Sequence, residues 1–192
     1  DIFFSIKGSK KNGNKFINDA IQNGARTIVS DLNFQEKKGN VLFIKNNNVR
    51  KLVSEISSKF YKKLPGNLIA VTGTNGKSSV ANFYFQILKN NGIKAATIGT
   101  LGIKTNKSNK LTKNTTLDPI TIHKTLSIIK NKKINNVILE ASSHGLKQHR
   151  LDGLKFDTLI FTNLSRDHLD YHKTYKDYFN SKLILFKKLS KK

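Results

Sequence analysis

Two glycines, a lysine and three hydroxyl residues in Gly73-Thr-Asn-Gly-Lys-Ser-Ser79, set just behind the apolar run 68–71, have the types and spacing of a phosphate cradle. Gly73 and Gly76 let the backbone turn so that successive N–H groups point at one anion, and a helix beginning near Lys77 adds the positive end of its dipole. Lys77 would then reach the outer phosphates of a nucleotide, and the Ser78 hydroxyl would hold Mg2+. The common phosphate-loop pattern asks for a further glycine where Val71 stands, so only its Gly-x-x-Gly-Lys-Ser half is present. The surroundings suit the motif. A short apolar run precedes it, and Val80, Phe83, Tyr84, Ile87 and Leu88 follow at helical spacing up to Asn90-Asn91-Gly92.

Glu140 closes a second apolar run, 137–139. A carboxylate there is either a cap or a holder of Mg2+; beside a phosphate loop the second reading is the better one, because Mg2+ prefers oxygen ligands. Thr115-Thr116-Leu-Asp-Pro119 caps a helix or holds an anionic ligand, and spacing alone does not decide. Ser142-Ser143-His144-Gly145 followed by Gln148 and Arg150 offers hydroxyls, an amide and a guanidinium suited to a carboxylate or phosphate. No Gly-x-Ser-x-Gly elbow surrounds Ser143, which argues against a covalent serine mechanism.

These groups need a scaffold. The apolar runs 68–71, 137–139 and 158–161 alternate with helical patterns near 78–90, 120–131 and 175–188, the signature of a mostly parallel α/β sheet flanked by helices. Ligands of such sheets sit at the carboxyl ends of strands, so the three strand ends are expected to converge on one site. Residues 101–113 read as an exposed hairpin or loop. Upstream, strand-like and helix-like segments alternate in 1–48 as a small α/β unit of its own. A helix over 49–63 precedes Pro65-Gly66, and the domain boundary is expected near residue 48, with 49–192 forming the nucleotide-binding part.

The 192 residues carry a formal charge of +23, which invites a nucleic-acid reading. Against it, the basic residues are scattered among asparagines and not interleaved with aromatics as a stacking platform requires. Only Arg26, Arg50, Arg150 and Arg166 stand beside 31 lysines, so a planar fork is used sparingly. There is no cysteine, hence no disulfide or thiolate metal site, and no apolar stretch near the roughly 20 residues of a membrane span. The sequence opens inside an apolar run and closes on Lys-Lys after an amphipathic helix, so a piece of a longer multidomain protein is expected.

Taken together, Val71-Thr-Gly-Thr-Asn-Gly-Lys-Ser-Ser79, Asn114-Thr-Thr116, Leu139-Glu-Ala-Ser-Ser-His-Gly-Leu146, Thr162-Asn-Leu-Ser-Arg-Asp-His-Leu-Asp-Tyr-His172 and Tyr178-x3-Lys182-x2-Leu-Phe186 resemble the Mur ligases, most closely the MurE type. Residues 1–8 and Gly13-x2-Phe16 resemble the end of that family's uridine-binding N-terminal domain. The resemblance implies an ATP-dependent ligase of peptidoglycan synthesis, and so of cell-wall biogenesis, shape and division. It would add the third amino acid to UDP-MurNAc-L-Ala-D-Glu through an acyl phosphate. It also implies a monomer in the bacterial cytoplasm with no nucleic-acid or membrane partner.

By the same resemblance, Gly73, Thr74, Asn75, Gly76, Lys77, Ser78 and Ser79 would bind ATP. Ser9, Lys10, Lys11, Asn114, Thr115, Thr116, Ser142, Gln148 and Arg150 would hold the UDP-MurNAc-dipeptide. Ser78, Glu140, His168 and Lys182 would serve the Mg2+ ions, Lys182 as a CO2-derived carbamate, with Lys77, Glu140, His168 and Lys182 the catalytic set. Ser78 replaces a frequent threonine, and Asn12 stands where many relatives have aspartate. The family's C-terminal ligase domain has no counterpart here, so the piece alone is expected to be inactive. The alternatives are another amide ligase of the superfamily, of the folylpolyglutamate or cyanophycin synthetase kind, and a non-catalytic nucleotide-binding module.

Overall fold

The computed structural model describes residues 1–8, 11–34 and 36–191, and the chain divides into two compact units, Asp1–Val53 and Ser54–Lys192. In the first, β1 (Ile2–Phe4), β2 (Thr27–Ser30) and β4 (Val41–Lys45) run parallel in the order β1-β2-β4, and β3 (Lys37–Lys38) adds an antiparallel edge. Helix α1 (Ile17–Gln22) contributes Ile17 to a core with Ala25, Ile28 and Phe43. Strand alternation turns Val29 to the opposite face, where Val49 and Val53 of α2 (Val49–Phe60) cover it. Lys11 is exposed in this unit and its carbonyl accepts from the Gly8 N–H at 2.8 Å; Ser9 and Lys10 lie outside the described residues.

Helix α2 stops at Phe60, short of the expected residue 63. Pro65, which has no N–H to donate and disfavours helical geometry in Leu64, sets only the outer limit of this helix.

The second unit is built on a six-stranded sheet of order β10-β5-β9-β6-β7-β8. Strands β5 (Asn67–Thr72), β6 (Ala95–Gly99), β9 (Asn136–Glu140) and β10 (Thr158–Phe161) are parallel, while β7 (Gly102–Thr105) and β8 (Ser108–Lys110) close the edge antiparallel. The 101–113 segment is therefore a hairpin. Strand β6, which the apolar-run reading did not single out, lies between β9 and β7 and is buried throughout.

Strand β5 is apolar without alternation because both of its faces are covered. Leu68 and Ala70 join a core with Ile122, Leu126 and Ile129 of α4 (Pro119–Asn131) and Leu185 of α6 (Tyr175–Lys188). Ile69 and Val71 face the other way, onto Ala81 of α3 (Lys77–Asn90). The helix over 119–131 begins as its sequence suggests, with Asp118 as cap accepting from the Thr121 N–H and Pro119 in the first turn. A short helix α5 (Ser143–Lys147) follows β9 at once, capped by the Ser142 side chain. Among the described residues no helix is long and apolar enough to cross a membrane.

Candidate active site

The carboxyl ends of β5, β9 and β10 do meet, and the end of β6 joins them. Leaving β5, the chain makes its turn at Gly73, whose φ of +146° suits glycine and whose missing side chain leaves room for Thr162: a Cβ there would lie 1.9 Å from Thr162 Oγ1. The residues after β10 brace the loop. Asn163 accepts from the Thr74 N–H through its carbonyl (2.9 Å) and from the Asn75 N–H through Oδ1 (3.0 Å), and Thr162 Oγ1 donates to Asn75 O (2.6 Å). Gly76, at φ +81°, caps α3, so the helix's first free N–H groups point into the loop.

Around that loop lies a cavity of about 280 Å³ lined by residues 74–79 together with Thr100, Thr115, Glu140, Ser142, Ser143, His168 and Lys182. Its size is that of a reaction centre rather than of a whole substrate site. Glu140 is 3% exposed and receives three donors: Ser78 Oγ at 2.9 Å and Thr100 Oγ1 at 3.0 Å on Oε2, and the Thr100 N–H at 3.0 Å on Oε1. Thr100 thus orients the carboxylate, a part that motif spacing does not reveal because it follows a run of small residues. Ser78 and Glu140 offer oxygen atoms to a hard cation; among the described residues no three His, Cys, Asp or Glu side chains group as a metal site on their own.

Two lysines converge on one carbonyl. Lys77 Nζ donates to Gly73 O (2.9 Å) and Thr74 O (2.8 Å), and Lys182 Nζ, on a residue only 1% exposed, donates to the same Gly73 O (2.7 Å). Lys182 also lies over the Tyr178 ring, 4.3 Å from its centroid, and the Tyr178 hydroxyl pairs with Thr74 Oγ1 at 3.0 Å. Burial, with Lys77 as a like charge beside it, lowers the Lys182 pKa to about 8; burial also lowers that of Lys77, opposed by Glu140 and Asp167.

Thr116 is buried, and its hydroxyl is taken up within the protein: it donates to Glu140 O (2.9 Å) and accepts from the Ser142 N–H (2.9 Å). Arg150 Nη1 donates to Thr116 O (2.6 Å), while its Nε and Nη2 both reach Gln148 Oε1, at 3.1 and 2.8 Å. Gln148 Nε2 in turn donates to the Tyr171 hydroxyl (3.1 Å). Thr116, Ser142, Gln148 and Arg150 therefore form one bonded set next to the cavity, and Thr115 joins it to Thr100 through a 3.0 Å hydroxyl contact. Asn114 and Ser79 are exposed. His168, at φ +52°, stands beside Asp167 with its ring 5.0 Å from that of His144.

A mostly parallel sheet whose central strand runs into a glycine-lysine loop and a capped helix, with an acidic residue on the next strand, defines an α/β domain of the phosphate-loop kind. Residues 71–192 match the family model described as the Mur ligase middle domain, and the chain belongs to the Mur ligase family. It is 40% identical over 186 residues to the UDP-N-acetylmuramoyl-L-alanyl-D-glutamate--2,6-diaminopimelate ligase of Rhizobium meliloti (strain 1021), covering 97% of this chain and 38% of that protein. It is 41% identical over 198 residues to the like-named ligase of Wigglesworthia glossinidia brevipalpis (99% and 40%). A solved structure of a ligase of this name superposes with a TM-score of 0.79 at 31% identity, over 97% of this chain and 38% of that one. The MurF ligase of Thermotoga maritima, solved in complex with ADP, shares the fold (TM-score 0.60, 18% identity, 97% and 40%). The chain thus spans about two fifths of the length of the relatives it matches.

Proposed function

We propose that this chain is the nucleotide-binding part of a longer ATP-dependent ligase that adds an amino acid to UDP-MurNAc-L-Ala-D-Glu. The observation that carries the reading is the convergence of Lys77 and Lys182 on the Gly73 carbonyl at the mouth of a helix N-terminus. A buried and a half-buried cation so close repel each other, and an anion bound beside them relieves that repulsion. Triphosphate supplies such a charge on one side, held by the N–H groups of 73–79 and by Lys77.

On the substrate side, a carboxylate oxygen of the D-glutamate attacks the γ-phosphorus in line while the bond to ADP breaks, giving an acyl phosphate. The amine of the incoming amino acid then attacks the acyl carbon, phosphate leaves with the former carboxylate oxygen, and the amine loses a proton. Positioning and charge neutralisation dominate such a reaction, and a braced loop with two lysines suits both. Asn114, Thr115, Thr116, Ser142, Gln148 and Arg150 hold the UDP-MurNAc-dipeptide. Mg2+ would neutralise phosphate charge, held by the oxygens of Ser78 and Glu140 with His168 nearby.

Lys182 is the residue to be carbamylated: its nitrogen attacks CO2 and releases a proton, which requires the neutral amine. With a pKa of about 8 roughly a quarter of it is neutral near pH 7.5, against about one in a thousand for an ordinary lysine. The carbamate turns the repulsive Lys77–Lys182 pair into an attractive one and adds an oxygen ligand for Mg2+. The enzyme acts in the bacterial cytoplasm as a monomer, with neither nucleic acid nor membrane as a partner.

The test is phosphate release by the full-length ligase with ATP, Mg2+ and UDP-MurNAc-L-Ala-D-Glu. Release that also requires an amino acid, 2,6-diaminopimelate or L-lysine, supports the reading. Release with neither, by a protein that still binds ATP, refutes it.

A further inference from the structure

Beside the phosphate loop lies a buried chain of polar groups that the reaction as written does not use. His172 is fully buried, with Nε2 2.9 Å from Ser143 Oγ and Nδ1 3.4 Å from Ser181 Oγ and 3.5 Å from Asp177 Oδ2. The proton positions follow from the partners. Ser181 gives its single hydroxyl proton to Asp177 O at 2.7 Å, so it presents only lone pairs to His172. Asp177 is held ionised by its hydrogen bond to Lys147, and it too is an acceptor. Nδ1 therefore carries the ring proton, Nε2 is the bare nitrogen of the neutral ring, and the Ser143 hydroxyl must donate to it.

The adjacent serine is oriented alike. Thr116 directs its proton to Glu140 O, so in the 3.0 Å contact between Thr116 Oγ1 and Ser142 Oγ the donor is Ser142. Both hydroxyl protons point into the protein; Ser142 Oγ also accepts the Gly145 N–H at 3.0 Å, so of the two serines lining the cavity it is Ser143 whose lone pairs are left to it. A hydroxyl whose proton is committed elsewhere offers only a lone pair, and a lone pair receives an N–H. The Glu140 carboxylate, which also lines the cavity, is already engaged by three donors.

Building on the ligase reading, we propose that Ser143 Oγ accepts an N–H of the incoming amino group and so turns the nitrogen lone pair toward the acyl carbon. His172 is the positioning residue that sets the polarity of Ser143.

Two measurements on the full-length ligase test this. Long-range proton–nitrogen correlation spectra of histidine-labelled protein are expected to show His172 as the Nδ1–H tautomer; the Nε2–H tautomer makes Ser143 a donor and overturns the proposal. This readout needs no turnover, so it stands apart from failure of the ligase reading, which shows instead as no phosphate release by the unsubstituted enzyme. Ser143→Ala is expected to raise KM for the amino acid about 10-fold, the loss of one hydrogen bond, with KM for ATP and the Mg2+ requirement within about 2-fold. His172→Asn, which keeps a donor near the Nδ1 position, is expected to raise the same KM about 3-fold. An unchanged amino-acid KM in both folded variants, or a changed Mg2+ requirement in its place, overturns the assignment.

Discussion

Replacing Lys182 by methionine removes a buried ammonium while keeping most of the volume of a side chain that is 1% exposed. The consequence depends on pH in a way the structure dictates. The folded pKa is about 8 and the ordinary value 10.5, so between those values the unfolded chain holds a proton that the folded chain has released. Stability rises with pH wherever the unfolded state binds more protons. The burden of burying the ammonium is therefore fully present below pH 8 and disappears as pH rises toward 10.5, an interval worth about 3 kcal/mol. Lysines other than Lys77, whose charge is coupled to that of Lys182, titrate equally in both proteins and cancel in the comparison. The assay is urea denaturation of both forms at pH 7, 8.5, 9.5 and 10.5 in buffers purged of CO2, so that no carbamate forms. The stability of the Lys182 form relative to Lys182→Met is expected to climb by about 3 kcal/mol, most steeply between pH 8.5 and 10. A difference constant within about 0.5 kcal/mol over that range would show that Lys182 is an ordinary ammonium in the folded protein and remove the basis for its reaction with CO2.

Gly99→Ala places a Cβ 2.1 Å from Glu140 Oε1 and 2.4 Å from its Cδ, so the carboxylate must swing away from Ser78 and Thr100. A Mg2+ titration of turnover is expected to show the metal requirement raised about 10- to 100-fold, and an unchanged titration contradicts the role given to Glu140. Thr116→Val keeps the shape of a buried side chain but leaves Glu140 O and the Ser142 N–H without their partner. Denaturation should register a loss of about 1–3 kcal/mol, and a loss near zero would mean that this hydroxyl does not organise the β9 terminus.

Much of this site is legible along the chain because its parts follow one another. An uninterrupted apolar run implies a strand covered on both faces, and the glycines and lysine behind it place a phosphate loop at that strand's end, as β5 and α3 display. Glu140 is readable for the same reason, being the first charged residue after 137–139. Strand β6 is not, since Ala95-Ala-Thr-Ile-Gly99 has one large apolar residue, Ile98, among small ones whose smallness serves neighbours distant in sequence: the space over Gly99 belongs to Glu140. Thr100 becomes visible only once that strand is laid beside β9. Lys182 stands out from other helix lysines by the Tyr178 pattern, but its depressed pKa depends on Lys77, which lies a hundred residues earlier. The direction of the Ser143 proton is further still from the sequence, because it is decided by what Ser181 and Asp177 do with theirs.

Ligation through an acyl phosphate makes a claim about one oxygen atom, and mass spectrometry of the released phosphate tests it directly. UDP-MurNAc-L-Ala-D-Glu labelled with 18O in the reacting carboxylate is incubated with the full-length ligase, ATP, Mg2+ and the amino acid that supports turnover. The carboxylate oxygen that attacks the γ-phosphorus stays with the phosphate when the amine displaces it, so the phosphate should carry one 18O atom. Phosphate free of label would mean that ATP is split by water, and the loop, Lys77 and Lys182 would then serve a nucleotidase rather than a ligase.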